Sequence, residues 1–496
     1  MDRPDHGSGV PPVTARHSSP RVSERLGPII KGFLALGAAA VIGQAIGFVV
    51  LVFVAHRVGP ENLGAYAFAQ NFAMYFEIPI DFGITMYAVR EVSREPERLK
   101  EIIGEVMVVQ LLLLAACVSV TLLVAPQLMP DTPAREILPI IIAGWIPTAL
   151  SLDWALRSMR RMNVVAGWRL AGQVLYGVLA LLLIGHGLSG IKTYAWLNVV
   201  GAMVTAVGLT VITLRQYGAS IRAIDVRGLG RRYARAVVVG ASLALAAIYY
   251  SSDAVVIGYL RDEHDVGLFS AAYKIPMSVI ALGTVWLQSA FPYASALVAN
   301  DSAAFRNQLG RVVSYAGTLV LPVAVGGSIL APMLMVGIFG EPFRGAAAPF
   351  ALLIWSAALA LIQVHFTNGV LALGDERYYL IAVVSAAVLN IGLDLALVPS
   401  MGPVGAAIAT LVAESVMFYV VAHRIVRRLG APTIQWRRLG GSVAAALAMA
   451  AVLLPLRSVT SVWICLVVGG VVYSVGAVAF GAMRPHELRR FRRRNS

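Results

Sequence analysis

Residues 248–274 read IYYSSDAVVIGYLRDEHDVGLFSAAYK. Two apolar runs flank a short polar loop, 261–265, and each run carries an ionisable residue, Asp253 before the loop and Lys274 after it. If the first run climbs to a membrane face and the second returns, Asp253 lies about 10 Å deep and Lys274 about 12 Å, at 1.5 Å rise per residue. An acid and a base at one depth have two readings. They pair and pin adjacent helices, or they face a wet cavity that carries cargo, because charge in hydrocarbon costs at least ~2.5 kcal/mol per group.

Working outward, the rest of the chain repeats this pattern of apolar runs and short polar connections. Hydrophobic residues make up 58% of the 496 and charged residues 13%, well under the roughly 25% of soluble domains. Mean hydropathy is +0.76. The expected fold is an all-α polytopic membrane protein of about 14 transmembrane helices, each near the ~20 residues needed to span the hydrocarbon. No polar segment is long enough to form a catalytic domain, so function is expected inside the bundle.

The expected organisation is a disordered cytoplasmic tail over 1–28, a first lobe of six spans over 29–214 and a cytoplasmic linker over 215–235. A second lobe of six spans follows over 236–428, then a final helix pair over 439–482 and a basic cytoplasmic tail over 483–496. The first apolar run begins at Ile29 and is too long for a cleavable signal, so it is expected to remain as a membrane helix.

A formal charge of +14 raises the question of nucleic acid, but the basic residues fall in alternate loops. Arg90, Arg94, Arg98 and Lys100 share one loop and Arg157, Arg160 and Arg161 another; the intervening loops hold Arg57 and Arg135 singly. That alternation is the positive-inside pattern, placing both termini in the cytoplasm and giving an even helix number. No nucleic-acid partner is expected; the Arg-rich tail is read as a topology anchor touching anionic lipid. Cys117 and Cys465 lie in apolar runs without metal-ligating neighbours. No metal, cofactor or disulfide is expected. A P-loop and an H-E-x-x-H motif are both absent from the sequence, and the chain is read as a non-enzyme.

An internal repeat is visible. Pro60-Glu61-Asn62-Leu63-Gly64-Ala65-Tyr66 in the first hairpin matches Glu263-His264-Asp265-Val266-Gly267-Leu268-Phe269 in the second half, aligning Gly64 with Gly267. Gly187 and Gly190 echo Gly402 and Gly405. Each pair is expected to be six spans apart, an even number, so the halves share one orientation about an axis along the membrane normal.

At these residues, together with Asp81-Phe82-Gly83, Ala88-Val89-Arg90-Glu91, Ile338-Phe339-Gly340, Leu373-Gly374-Asp375 and Pro403-Val404-Gly405, the chain resembles the oligosaccharide flippases of the MOP exporter superfamily, the Wzx or polysaccharide transport family. The likeness runs from residue 29 to about 430. It implies alternating access around a cavity between two lobes. Its cargo would be a polyprenyl-(pyro)phosphate-linked oligosaccharide moved from the cytoplasmic to the outer leaflet of a bacterial inner membrane, for cell-surface polysaccharide biosynthesis. Polysaccharide polymerase or chain-length machinery would be further partners. The alternative is a MATE-type drug or cation antiporter from another branch.

An anionic headgroup in a low-dielectric cavity needs cationic partners. Lys274 is the central candidate, followed by Arg169 and Arg157, both near the cytoplasmic face. Asp253, His365 and Asn368 are further cavity candidates. Glu77 and Asp81, four residues apart and so on one helix face, could share a proton, and Glu414 is a third candidate for ion coupling. The competing reading of these acids is helix-pinning hydrogen bonds. Asp394 is expected near a solvent-reached end and is ranked low. Trp145, Trp154, Trp286 and Tyr250 are candidate sugar-stacking aromatics that could equally be membrane-interface residues.

Overall fold

A computed structural model describes residues 22–220, 244–245, 247–249 and 251–483. Of the tails expected over 1–28 and 483–496, residues 1–21 and 484–496 lie outside the described residues, while 22–28 already belong to the first helix; most of the linker over 215–235 and the first part of the seventh expected span also lie outside. The described residues are mostly helical and include no strand. Eleven helices among them are long and apolar enough to cross a membrane. The chain is therefore a multi-pass all-α membrane protein, and the expected 14 spans extend into segments outside that set.

The first helix, α1 (Val22–Asp81), comprises two arms meeting at Gly59. Gly59 has φ 75°, a backbone region that side chains disfavour, so the chain reverses there without a loop. At the far end of the second arm Asp81 accepts hydrogen bonds from the backbone N–H of Thr85 (3.0 Å), the Thr85 hydroxyl (2.5 Å) and Gln110 (3.4 Å). These bonds cap α2 (Ile84–Arg94) after the break at Phe82 and Gly83. The next elements are α3 (Leu99–Leu128), α4 (Pro133–Ala143), α5 (Trp145–Leu150), α6 (Asp153–Ser158), α7 (Met162–Leu183) and α8 (Gly187–Tyr217).

The apolar stretch 136–157 is broken in two places. Pro139 and Pro147 remove backbone donors, and the chain leaves helical geometry at Ser151 and Leu152 before restarting. The second break places Asp153 in the first turn of α6.

The second half opens with α9, residues 251–260, and continues with α10 (Glu263–Asn300), α11 (Ser302–Phe339), α12 (Ala347–Ala372), α13 (Glu376–Met401) and α14 (Pro403–Leu429). Then follow α15 (Trp436–Leu456) and α16 (Val462–Ala479), which pack on each other and, through both members, on α11.

The repeat read from the sequence is a contact in three dimensions. A Cβ on Gly64 would meet the Glu263 carbonyl oxygen at 1.6 Å, and a Cβ on Gly267 would meet the Pro60 carbonyl oxygen at 1.9 Å. Pro60 and Glu263 are themselves aligned by the repeat, so the contact is reciprocal, as a two-fold axis requires. Gly187 (φ 63°) and Gly402 (φ 54°) mark the corresponding starts of α8 and α14. Across the same junction Glu263 accepts a hydrogen bond from the backbone N–H of Ala134, 2.9 Å, at the start of α4.

At the opposite end, Asp375 bridges Arg424 (2.7 Å) and Arg428 (3.5 Å) between the α12–α13 turn and α14. The hydrogen bond from Arg424 holds the Asp375 carboxyl below its ordinary value of 3.8. A depressed carboxyl contributes stability that is complete above the unfolded value and is lost as pH falls through the folded one. Asp375→Asn is therefore expected to lower the melting temperature by about 2 °C at pH 7 and by less at a pH below the ordinary carboxyl value. An equal loss at both pH values in a thermal melt would contradict the ion-pair account.

Candidate functional site

Beneath the Gly64–Gly267 contact lies a cavity of about 640 Å³. Its walls come from both arms of α1, from α5 to α8, and from α10 through Lys274. Along α8 the lining runs from Tyr194 to Leu209, which is about 22 Å of helix. Small residues on α1, among them Ala39, Ala40, Gly43 and Gly47, keep the wall thin.

Among the described residues, its charged lining groups are Asp153, Arg169 and Lys274. Asp153 accepts from Arg169 at 2.6 Å and from Arg157 at 3.1 Å. Its acidity is thus spoken for by two guanidinium groups. Lys274 is half-buried and has no carboxylate within ion-pair distance among the described residues. Among the described residues the lining carries two cations, Arg169 and Lys274, and one carboxylate, Asp153. Asp153 had no place among the sequence candidates; its signal was the i, i+4 spacing to Arg157.

Lys274 does not pair with Asp253, and this corrects the expectation drawn from their common depth. Rise along a hairpin sets depth, whereas the helix face sets the neighbours. Lys274 turns toward α1, α7 and α8, while Asp253 turns into the second half. There Asp253 is 3% exposed and accepts from the Thr410 hydroxyl at 2.9 Å, with Asn390 and Asp394 beside it. Asp253 is thereby removed from the cavity.

Asp394 is wholly buried, contrary to its expected position near solvent. Both of its carboxyl oxygens and Oδ1 of Asp253 are buried without a hydrogen-bond partner among the described residues. Ser252 donates to Asn390 at 3.2 Å, and the Tyr249 hydroxyl donates to Glu414 at 3.1 Å. The result is a closed acidic cluster at the junction of α9, α13 and α14, separate from the cavity.

The remaining candidates are not brought together. Glu77 reaches Thr148, 3.4 Å away, while Asp81 caps α2, so each acid has its own partner. His365 and Asn368 are half-buried on α12, which contributes nothing to the cavity wall. Trp145 and Trp154 are buried core, 1% and 0% exposed, and do not line the cavity. The side chains of Trp286 and Tyr250 lie outside the described residues. The aromatics that do line the cavity are Tyr66, Tyr176 and Tyr194, which the sequence reading missed because a tyrosine at a helix turn carries no distinguishing local signal.

Fold and cavity together define a membrane transporter architecture of paired helical halves. The chain matches the family model described as polysaccharide biosynthesis protein over residues 29–298, and it belongs to that family. Among curated proteins it is 22% identical over 441 residues to the probable low-salt glycan biosynthesis flippase Agl15 of Haloferax volcanii, covering 88% of this chain and 91% of the relative. A probable flippase of the same organism, AglR, is 29% identical over 164 residues, 32% of this chain and 34% of that protein. Among solved structures, the lipid II flippase MurJ in an inward closed conformation aligns with TM-score 0.72 at 15% identity over 90% of this chain and 98% of MurJ. An inward-facing multidrug resistance MATE transporter of the MOP superfamily aligns with TM-score 0.63 at 18% identity over 78% and 95%. These likenesses establish a MOP-type fold.

Proposed function

We propose that this protein is a flippase for a lipid-linked oligosaccharide, moving a polyprenyl-(pyro)phosphate glycan across the membrane by alternating access. The observation that carries this reading is the Lys274 ammonium, which among the described residues has no carboxylate partner, in a cavity whose one described lining acid is held by two arginines. A buried phosphate needs such a partner, since an uncompensated charge at this depth is very costly. A cation-extruding antiporter would require the opposite, a free carboxylate in the cavity. The names of the curated relatives and of MurJ point the same way. On this reading the protein is a transporter without catalytic chemistry, in a bacterial cell membrane with both termini cytoplasmic. The Gly59 end is then external, and polymerase or chain-length machinery would receive the flipped cargo.

Two lobes, 29–214 and 236–428, are the moving bodies of this proposal, meeting at Gly64 and Gly267. An apolar groove of about 510 Å³ between α10, α11, α12, α15 and α16, lined by Pro322, Met449, Leu453 and Tyr473 among others, offers the prenyl chain a path outside the polar cavity. The direct test is flipping of a fluorescent polyprenyl-pyrophosphate glycan in proteoliposomes. Acceleration over protein-free vesicles is expected; extrusion of organic cations without glycan flipping would transfer the protein to the antiporter branch.

The acidic cluster supplies coupling in this reading. Two adjacent buried carboxylates cannot both stay charged without a proton or a monovalent cation between them. Asp253→Asn and Asp394→Asn are each expected to leave downhill flipping within about threefold of wild type while abolishing its response to an imposed proton or sodium gradient. A variant that kept the full gradient response would exclude the cluster as the coupling site.

A further inference from the structure

The deep end of the cavity has a chemistry distinct from its mouth. Toward the α6 end stand the charged Asp153, Arg157 and Arg169. Toward the Gly59 end stand Tyr66, Tyr176 and Tyr194, with ring centroids 4.9 Å apart for Tyr66 and Tyr194 and 6.1 Å for Tyr176 and Tyr194. Asn198 lies within hydrogen-bonding reach of both Tyr176 and Tyr194, which also reach each other. Its amide N–H donates to the Tyr194 carbonyl at 3.0 Å. Gln70, on the second arm of α1, is exposed to the cavity. Among the described residues, Lys274 is the one carboxyl, ammonium or guanidinium group that lines this end.

We infer that Tyr66, Gln70, Tyr176, Tyr194 and Asn198 form a seat for an uncharged, hydroxyl-rich sugar ring, the ring attached directly to the phosphate that Lys274 holds. The assignment rests on the flippase reading and adds the chemistry of the first sugar. Phenol hydroxyls and amides both donate and accept, which matches sugar hydroxyls, whereas a prenyl chain would leave them unpaired and an organic cation would find no carboxylate. A second anion on the ring would share a single ammonium with the phosphate, so a uronic acid fits poorly. Because the Tyr176 and Tyr194 rings pack 6.1 Å apart and the Asn198 amide is tied to the Tyr194 carbonyl, the parts of the seat are held in place before cargo arrives.

The test uses the full-length purified protein and three water-soluble short-prenyl pyrophosphates: one carrying a neutral hexose, one carrying a hexuronic acid, and one without sugar. Wild type is expected to bind the hexose probe most tightly. Tyr194→Phe, which keeps the ring, and Asn198→Ala are each expected to weaken the hexose probe by about tenfold while leaving the sugarless probe unchanged, since a site built for a hydroxyl loses most when that bond is lost. Lys274→Gln is expected to weaken both probes by the same factor. If the tyrosine and asparagine variants weaken both probes equally, or neither, the cluster is packing and the sugar seat is wrong while the Lys274 reading stands. Preference for the hexuronate overturns the neutral ring. Failure of wild type to bind any of the three overturns the flippase reading and the seat with it.

Discussion

Replacement of Lys274 by glutamine is expected to reduce flipping of a lipid-linked glycan in proteoliposomes by at least tenfold, with the protein still folded and inserted. The expectation follows from what the ammonium replaces. A phosphate leaving water surrenders its hydration, and a charge-assisted hydrogen bond contributes about 1.5–3 kcal/mol, equivalent to roughly tenfold to a hundredfold in binding. Glutamine keeps much of the length and a hydrogen-bond donor but removes the charge. Arg169 does not substitute, because its guanidinium is bonded to Asp153 at 2.6 Å. Lys274→Arg is expected to retain substantial activity, as guanidinium also pairs with phosphate. Wild-type flipping by the glutamine variant would remove the central support for an anion-binding cavity.

The second large effect is expected at the Gly59 end. A methyl group on Gly64 would stand 1.6 Å from the Glu263 carbonyl oxygen, about 1.8 Å inside ordinary contact. The obstacle is backbone, which cannot swing aside as a side chain would. Gly64→Ala is expected to disfavour the closed junction by about 1–3 kcal/mol, shifting the balance of open and closed forms by about 5- to 150-fold. Gly267→Ala should act alike, because the contact is reciprocal. Gly167→Ala, where a Cβ meets nothing within 4 Å, serves as the control. Distances between spin labels on either side of the junction read the outcome: broadening toward longer separations for Gly64→Ala and Gly267→Ala only. A closed-state distance unchanged in both variants would show that this junction does not gate the cavity.

The two effects differ in origin, and the difference bears on mechanism. In the proposed function Lys274 would act through charge in a site that must be dry, whereas Gly64 acts through the absence of a side chain where two backbones touch. On the proposed cycle the junction would have to part for cargo to leave on the Gly59 side. The Glu263 carboxylate joined to the start of α4 and the Gly64–Gly267 contact would then break together.

Much of this molecule is legible in its residues. Apolar runs of membrane length, loop charges that alternate, and a Gly-containing segment that recurs near residues 64 and 267 follow from composition and order alone, because hydrocarbon imposes length and backbone satisfaction on every span. Counting residues along the hairpin also set the separation of Lys274 and Asp253 from the loop at 261–265. Which way each points was not legible. A helix turns about 100° per residue, and with apolar residues on every face no hydrophobic stripe marks the inside, so the separation of Lys274 from Asp253, the burial of Asp394 and the grouping of three tyrosines all depended on how the helices pack. The broken span at Pro147 belongs with these, since the proline announced a defect but only packing turned it into a placement for Asp153. The sequence by itself determined a multi-pass helical membrane protein with an internal repeat. The tertiary structure alone decided which charges face the cavity, because only side chains on different helices, brought onto one wall, can leave one cation unpaired and hold another.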